Sequence, residues 1–332
     1  MVDGDRRATD GVGGIAGIAG IAGIGGGRLS RRELGRRSAG AAFAVPATRA
    51  AALAGVGGAL GPRAAVASPV QAQGQGVTIS VAQTGGDPGI GIPILVGGTD
   101  NFVCWWAFSR LVTYDDTGTP IPDLADSWVY DPAGTVLTLK LNPNARWHDG
   151  EPVTSADVLF TFDTIKDPAT KSNRSSDLQV GGEWVAWAAP DPQTVTLTTP
   201  APFAPFLFAL SQIAIVPKHV LEGSADLATD PFNLQPIGSG PFRVVEWAQD
   251  EFVRYERFPE YHRGPAAADG LNEVFFEDAQ PALAAMEAGE IDVVFTPPES
   301  QPPYDDNPDF VLHPYAYFTP ISLSFNFKHP IL

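Results

Sequence analysis

In the run NPNARWHDGEPVTSADVLFTFD, residues 142–163, Trp147, His148, Asp149 and Glu151 stand almost side by side. An imidazole and two carboxylates so close together could hold a divalent cation or relay a proton. The spacing argues against both. All three polar groups fall in one turn, and no second histidine stands at the helical interval of a metal-binding helix. The other histidines, His219, His262, His313 and His329, show neither ligand nor triad spacing. Gly238-Ser239-Gly240 is no nucleophile elbow, because Ile237 occupies the position where G-x-S-x-G needs its first glycine. It also lacks the G-K-[ST] ending of a phosphate loop. No catalytic residue, metal ligand or cofactor is assigned, and an enzyme is not expected.

Local backbone chemistry accounts for the same residues. Asp149-Gly150 suits a tight turn in which positive φ is easy. Thr154 opens a T-x-x-D box that satisfies the first amides of a helix carrying Val158, Leu159, Phe162 and Ile165 toward a core. Each polar residue of the run then has a local backbone role or faces water, and the segment reads as scaffolding.

The elements around it follow from periodicity. VTISVAQ alternates Val77, Ile79 and Val81 with Thr78 and Ser80, as a half-buried strand does. DNFVCWWAFSRLVTYD places Phe102, Trp105, Trp106 and Leu111 at helical spacing, with Thr99 or Asp100 as cap, so a helix is expected; Cys104 within it is expected to pack. DSWVYDPAGTVLTLKLNPNARW reads as a hairpin turning at Asp131-Pro132-Ala133-Gly134. TVTLTTP is a strand and IVPKHVL a connection entering a helix. PIGSGPFRVVEWAQDEFVRYER gives a Gly-rich bend and two strands about Ala248-Gln249-Asp250. EVFFEDAQPALAAMEAGEIDVVF reads strand, helix and strand, with Asp278 as cap and Gly289 as stop.

Composition limits the partners. The chain has 332 residues, 44% of them hydrophobic, enough for a substantial core. Residues 1–75 hold nine Arg and four acids, leaving 21 − 9 = 12 basic and 38 − 4 = 34 acidic residues, so the body is near −22. That charge disfavours nucleic acid and anionic lipid and suits cations or amines. Residues 1–75 read as a low-complexity tract, GGIAGIAGIAGIGGG, followed by an export leader. Ser30, Arg31, Arg32 and Leu34 resemble a twin-arginine signal, with cleavage expected between about residues 67 and 75. Arg49 and Arg63 interrupt the apolar run that follows.

Three stretches together carry a resemblance: ADSWVYDPAGTVLTLKLNPNARWHDGEPVTSADVLFTFD, PIGSGPFRVVEWAQDEFVRYERFPEYHRGP and ALAAMEAGEIDVV. They resemble the family 5 extracellular solute-binding proteins of ABC transporters over residues 76–332. The resemblance implies an α/β fold of the large, type II periplasmic-binding-protein class, with this chain forming the N-terminal lobe and its inserted small subdomain. ISLSFNFKHPIL looks like the strand leading toward a second lobe, which is expected to be missing from a chain ending at Leu332. The implied function is extracytoplasmic capture of a peptide or other small, amine-containing solute, handed to permease subunits that provide the only membrane contact. The implied solute contacts are Thr84, Gly85, Asp87, Thr99, Asp100 and Asn101, with Tyr317, Phe318 and Asn326. Turn chemistry and strand packing account for the same residues equally well. The alternatives are a solute-sensing regulator, which should carry a basic helix-turn-helix, or a fragment without function.

Overall fold

The computed structural model describes residues 76–312, except 90, 96–102, 116, 296–299, 301, 302, 305, 306, 308 and the side chain of Cys104. The export leader, the ISLSFNFKHPIL segment and the packing of Cys104 lie outside the described residues.

Two sheets organise the chain. The larger contains β1 (Thr78–Thr84), β10 (Phe242–Ala248), β11 (Phe252–Arg257), β12 (Gly270–Phe276) and β13 (Val293–Val294), in the order β10-β11-β12-β1-β13. β11 runs antiparallel to β10 and to β12, with a bulge in β10 between Val244 and Glu246; β12, β1 and β13 run parallel. The strand–helix–strand reading of residues 273–295 holds. α5 (Ala279–Glu287) crosses from β12 to β13, and β1 lies between those two strands. Gly289, at φ 75°, ends the helix region, while Asp278 holds the N-cap backbone position without a side-chain bond.

The place of β1 between β12 and β13 corrects its reading as a half-buried strand. Val81 packs into the main core, and Ala82, on the opposite face, packs with Ala282 and Ile291. A parallel strand between two others is covered on both faces, so simple alternation understates its burial.

The second sheet is antiparallel: β4 (Ala125–Tyr130), β5 (Val136–Leu141), β8 (Ala186–Asp191) and β9 (Thr194–Thr198), ordered β4-β5-β9-β8. The expected turn joins β4 to β5. Gly134 has φ 70°, and the Asp131 carboxylate accepts the amides of Thr135 and Val136 at 2.8 Å each. α2 (Ser155–Lys166) packs against this sheet through Val158, Phe162 and Ile165, all buried. Phe162 meets Trp187 edge-on at 5.6 Å. The reciprocal half of the T-x-x-D box is formed, the Asp157 carboxylate accepting the Thr154 amide at 2.8 Å. Its other oxygen accepts the Lys218 amide at 3.0 Å. One carboxylate thus caps α2 and ties it to α4 (Lys218–Leu221), which follows α3 (Phe206–Ser211). Two short hairpins complete the sheet structure, β2 (Val112–Tyr114) with β3 (Pro120–Pro122), and β6 (Gln179–Val180) with β7 (Glu183–Trp184).

The helix expected through Leu111 is far shorter. Among the described residues α1 covers Val103–Trp106, ending five residues before Leu111. Beyond it the backbone is claimed by distant partners: the Ala107 carbonyl accepts the Gly240 amide at 2.8 Å, the Ser109 carbonyl accepts Ile215 at 3.0 Å, and the Arg110 amide donates to Asp123 at 2.8 Å. Tertiary hydrogen bonds override the helical spacing, and Trp106 and Phe108 are buried.

Candidate functional site

His148 is more than a locally satisfied turn residue, and this corrects the expectation that it faces water or serves its own turn. Its Nδ1 accepts the Gly238 amide at 3.2 Å, and its Nε2 lies 3.1 Å from the Gly240 carbonyl. Those partners require the neutral tautomer with the proton on Nε2. Its own amide donates to the Gly238 carbonyl at 2.8 Å, and its ring meets Phe258 at 5.0 Å. Burial is the main reason that its pKa falls to about 4. Both nitrogens are committed to backbone some 90 residues away in sequence, which leaves neither for a metal or a proton relay.

Gly238 and Gly240 serve this crossing by lacking a side chain. Neither has positive φ. A Cβ on Gly238 would lie 1.7 Å from the Ala107 carbonyl oxygen, and one on Gly240 would lie 2.6 Å from that of Trp106. Ser239 between them is fully buried, its carbonyl accepting the Ser109 hydroxyl at 3.1 Å. The Gly-rich bend is therefore a site of backbone contact. Elsewhere in the opening run, Gly150 adopts φ 96° and donates to the Trp147 carbonyl at 2.9 Å. Asp149 pairs with His219 at 2.7 Å, while Glu151 is exposed. Among the described residues no group of three or more His, Cys, Asp or Glu side chains could hold a metal ion.

The loop after β1 has a different character. Thr84 ends the strand, and the Gly86 amide continues the ladder to the Phe276 carbonyl at 3.1 Å. Gly85, Gly86 and Gly89 have φ of 91°, 79° and 62°, and no atom of the described residues lies within 4 Å of a Cβ placed on Gly85 or Gly89. Asp87 holds the loop. Its carboxylate accepts the Gly89 amide at 2.7 Å, the Trp247 indole N–H at 3.0 Å and the Asp250 amide at 2.9 Å. The loop is thereby fastened to the β10–β11 turn at the C-terminal ends of the parallel strands β1 and β12, an edge where α/β sheets commonly take ligands. Thr84, Gly85 and Asp87 come together here. Thr99, Asp100, Asn101, Tyr317, Phe318 and Asn326 lie outside the described residues.

Two buried polar clusters escaped the sequence reading. Asp123 accepts from His262 at 3.0 Å, with Tyr261 at 3.3 Å. Burial alone would raise the Asp123 pKa, but the His262 hydrogen bond and charge, aided by the Arg110 amide, hold it below the ordinary value. Glu273 is the other: it sits at a core-facing position of β12, fully buried. An acid in phase with the apolar residues of LNEVFF was the available signal.

Comparison with known proteins adds the following. The model of the bacterial extracellular solute-binding proteins, family 5, middle region, matches residues 119–332. An ABC transporter peptide-binding protein of Brucella ovis is 33% identical over 192 residues, covering 57% of this chain and 36% of that protein. The periplasmic oligopeptide-binding protein OppA of Salmonella typhimurium is 29% identical over 207 residues, covering 57% and 37%. The chain thus spans about a third of the length of the curated relatives it matches. Among solved structures, NikZ of Campylobacter jejuni in complex with Ni(L-His) aligns with TM-score 0.59 and 29% identity, over 64% of this chain and 42% of that one. AppA of Bacillus subtilis in complex with a nonapeptide aligns with TM-score 0.58 and 27% identity, over 65% and 43%.

Proposed function

Because the chain belongs to the family 5 bacterial extracellular solute-binding proteins, we propose that it contributes one wall of a solute-binding cleft serving an ABC importer, with peptide as the solute class. The family match carries this reading, and the relatives named for peptide binding direct it to peptides. The acidic body favours a solute bearing an amine.

Residues 76–332 act as the binding lobe and 1–75 as an export leader of the twin-arginine type, which places the protein outside the cytoplasmic membrane. No helix among the described residues is long and apolar enough to cross a membrane, and the membrane is engaged through the permease. Within the lobe, Thr84 and Gly85 offer backbone groups at the C-terminal edge of the parallel strands, while Asp87 sets the shape of their loop; Thr99, Asp100, Asn101, Tyr317, Phe318 and Asn326 supply further contacts. The protein performs no catalysis. His148, the residue best suited to acid–base work by type, is consumed by backbone bonds.

The test is calorimetric titration of the full gene product with short peptides, nickel–histidine and an opine, together with N-terminal sequencing of the envelope fraction. Saturable binding of a peptide that is recovered unchanged is expected. Binding of nickel–histidine or opine alone would move the solute class, turnover of the peptide would overturn the binding role, and an uncleaved cytoplasmic product would overturn the export reading.

A further inference from the structure

β1 and β12 place two polar side chains on the face that otherwise builds the main core. Gln83 is 4% exposed and Glu273 0%. Val81 registers against Glu273 and Gln83 against Phe275, so Gln83 and Glu273 are diagonal neighbours on one face. Long side chains span that diagonal. Tyr255 of β11 donates its phenolic O–H to Glu273 Oε2. Gln83 Nε2 is committed to the Thr84 carbonyl at 3.0 Å. Among the described residues neither Glu273 Oε1 nor Gln83 Oε1 has a partner. Buried acceptors left unpaired are costly, and an ionised carboxylate brings no hydrogen to relieve either of them. A protonated carboxyl brings one, and that single hydrogen serves both oxygens.

We propose that Glu273 is a neutral acid in the folded protein and that its proton joins Glu273 Oε1 to Gln83 Oε1, forming an acid–amide lock at the root of the loop after β1. The titratable groups facing Glu273 are the Tyr255 phenol from β11 and the Asp87 carboxylate from that loop; Gln83 from β1 is the uncharged neighbour. Among the described residues no cation pairs with Glu273. Burial first, and then the negative charge of Asp87, raise its pKa to about 8 against the opposing pull of the Tyr255 bond. The folded value therefore exceeds the unfolded one, so the stabilisation is complete below the ordinary glutamate range and is lost as the pH rises through about 8. Above that pH the proton leaves for bulk water. What remains is a buried anion near Asp87, the residue that fastens the loop to Trp247 and Asp250.

Glu273→Gln keeps an acceptor for Tyr255 and a donor for Gln83 but cannot ionise. Unfolding midpoints of the 332-residue chain are compared with those of E273Q from about pH 5 to about pH 9. The unsubstituted chain is expected to lose stability across this interval relative to E273Q. Parallel curves would overturn the proposal. Should E273Q fail to fold, infrared spectra of the unsubstituted chain decide: a protonated-carboxyl C=O stretch at neutral pH that fades toward alkaline pH is expected, and its absence at neutral pH overturns the proposal. Gln83→Leu should move that band by removing the acceptor, and an unmoved band would exclude Gln83 as the partner.

Discussion

The crossing at Gly238–Gly240 and the loop at residues 85–89 are both rich in glycine and both held by one polar side chain, yet their glycines do opposite work. At the crossing, glycine is needed because another backbone occupies the space of a side chain. In the loop, glycine is needed because φ is positive, and among the described residues nothing crowds Gly85 or Gly89. The anchors differ in the same way. His148 is half-buried among backbone partners, whereas Asp87 ties a loop around which the described residues leave Gly85 and Gly89 uncrowded. Residues that look functional by type can be the most structural, and a binding surface is better sought where the chain is fastened from behind and unfilled in front.

The largest test of this contrast is Gly238→Ala. Its Cβ meets a backbone oxygen that no rotamer change can move, so a loss beyond about 4 kcal/mol is expected, seen as the absence of a cooperative unfolding transition. A folded G238A protein near native stability would dissolve the contrast. His148→Ala should come next, costing about 2–4 kcal/mol by denaturant unfolding, through two lost hydrogen bonds and a cavity beside Phe258. The same residue sets an acid limit. Its folded pKa of about 4 lies below the ordinary 6.5, so the unfolded chain takes up the proton first as the pH falls. Stability is whole above about 6.5 and declines toward 4, by roughly 3 kcal/mol at most. In H148A this slope should vanish.

Asp87→Ala should cost less, about 1–2 kcal/mol, since its partners can turn to water. Its clearer sign should be faster amide exchange at Gly89 and Asp250 with the crossing unaffected. A loss equal to that of H148A would mean the loop is as much scaffold as the crossing. Smallest is Gly150→Ala, about 1 kcal/mol by thermal unfolding, because φ of 96° is strained for alanine although nothing blocks its Cβ.

The elements set by short-range signals were legible in the sequence. The Asp131–Gly134 turn, the Asp149-Gly150 turn, the Thr154–Asp157 box and the helix–strand alternation of residues 273–295 each depend on residues a few positions apart. What escaped depends on distant residues. The aromatics of 102–111 have helical spacing, but the amides and carbonyls beyond Trp106 are taken by Gly240, Ile215 and Asp123. His148 belongs to the scaffolding, but its partners lie at Gly238 and Gly240 and not in its own turn. Of the candidate site, the gathering of Thr84, Gly85 and Asp87 in one loop was legible; the fastening of Asp87 to Trp247 was not, since nothing near residue 87 announces a partner 160 positions away.

The position of β1 between β12 and β13 also bears on how the protein folds. Thr78 pairs with Gly270 and Val81 with Val293, so this inner strand of the larger sheet must close loops of nearly two hundred residues or more before it gains its first ladder bonds. The β4–β5 hairpin and α2 need no such closure and can form while residue 270 is still unmade. Assembly should therefore begin in the inserted sheet and end when the earliest described strand enters between β12 and β13 of the other one. Such a topology is slow by contact order, and until that step the acid–amide lock and the loop fastened by Asp87 do not exist.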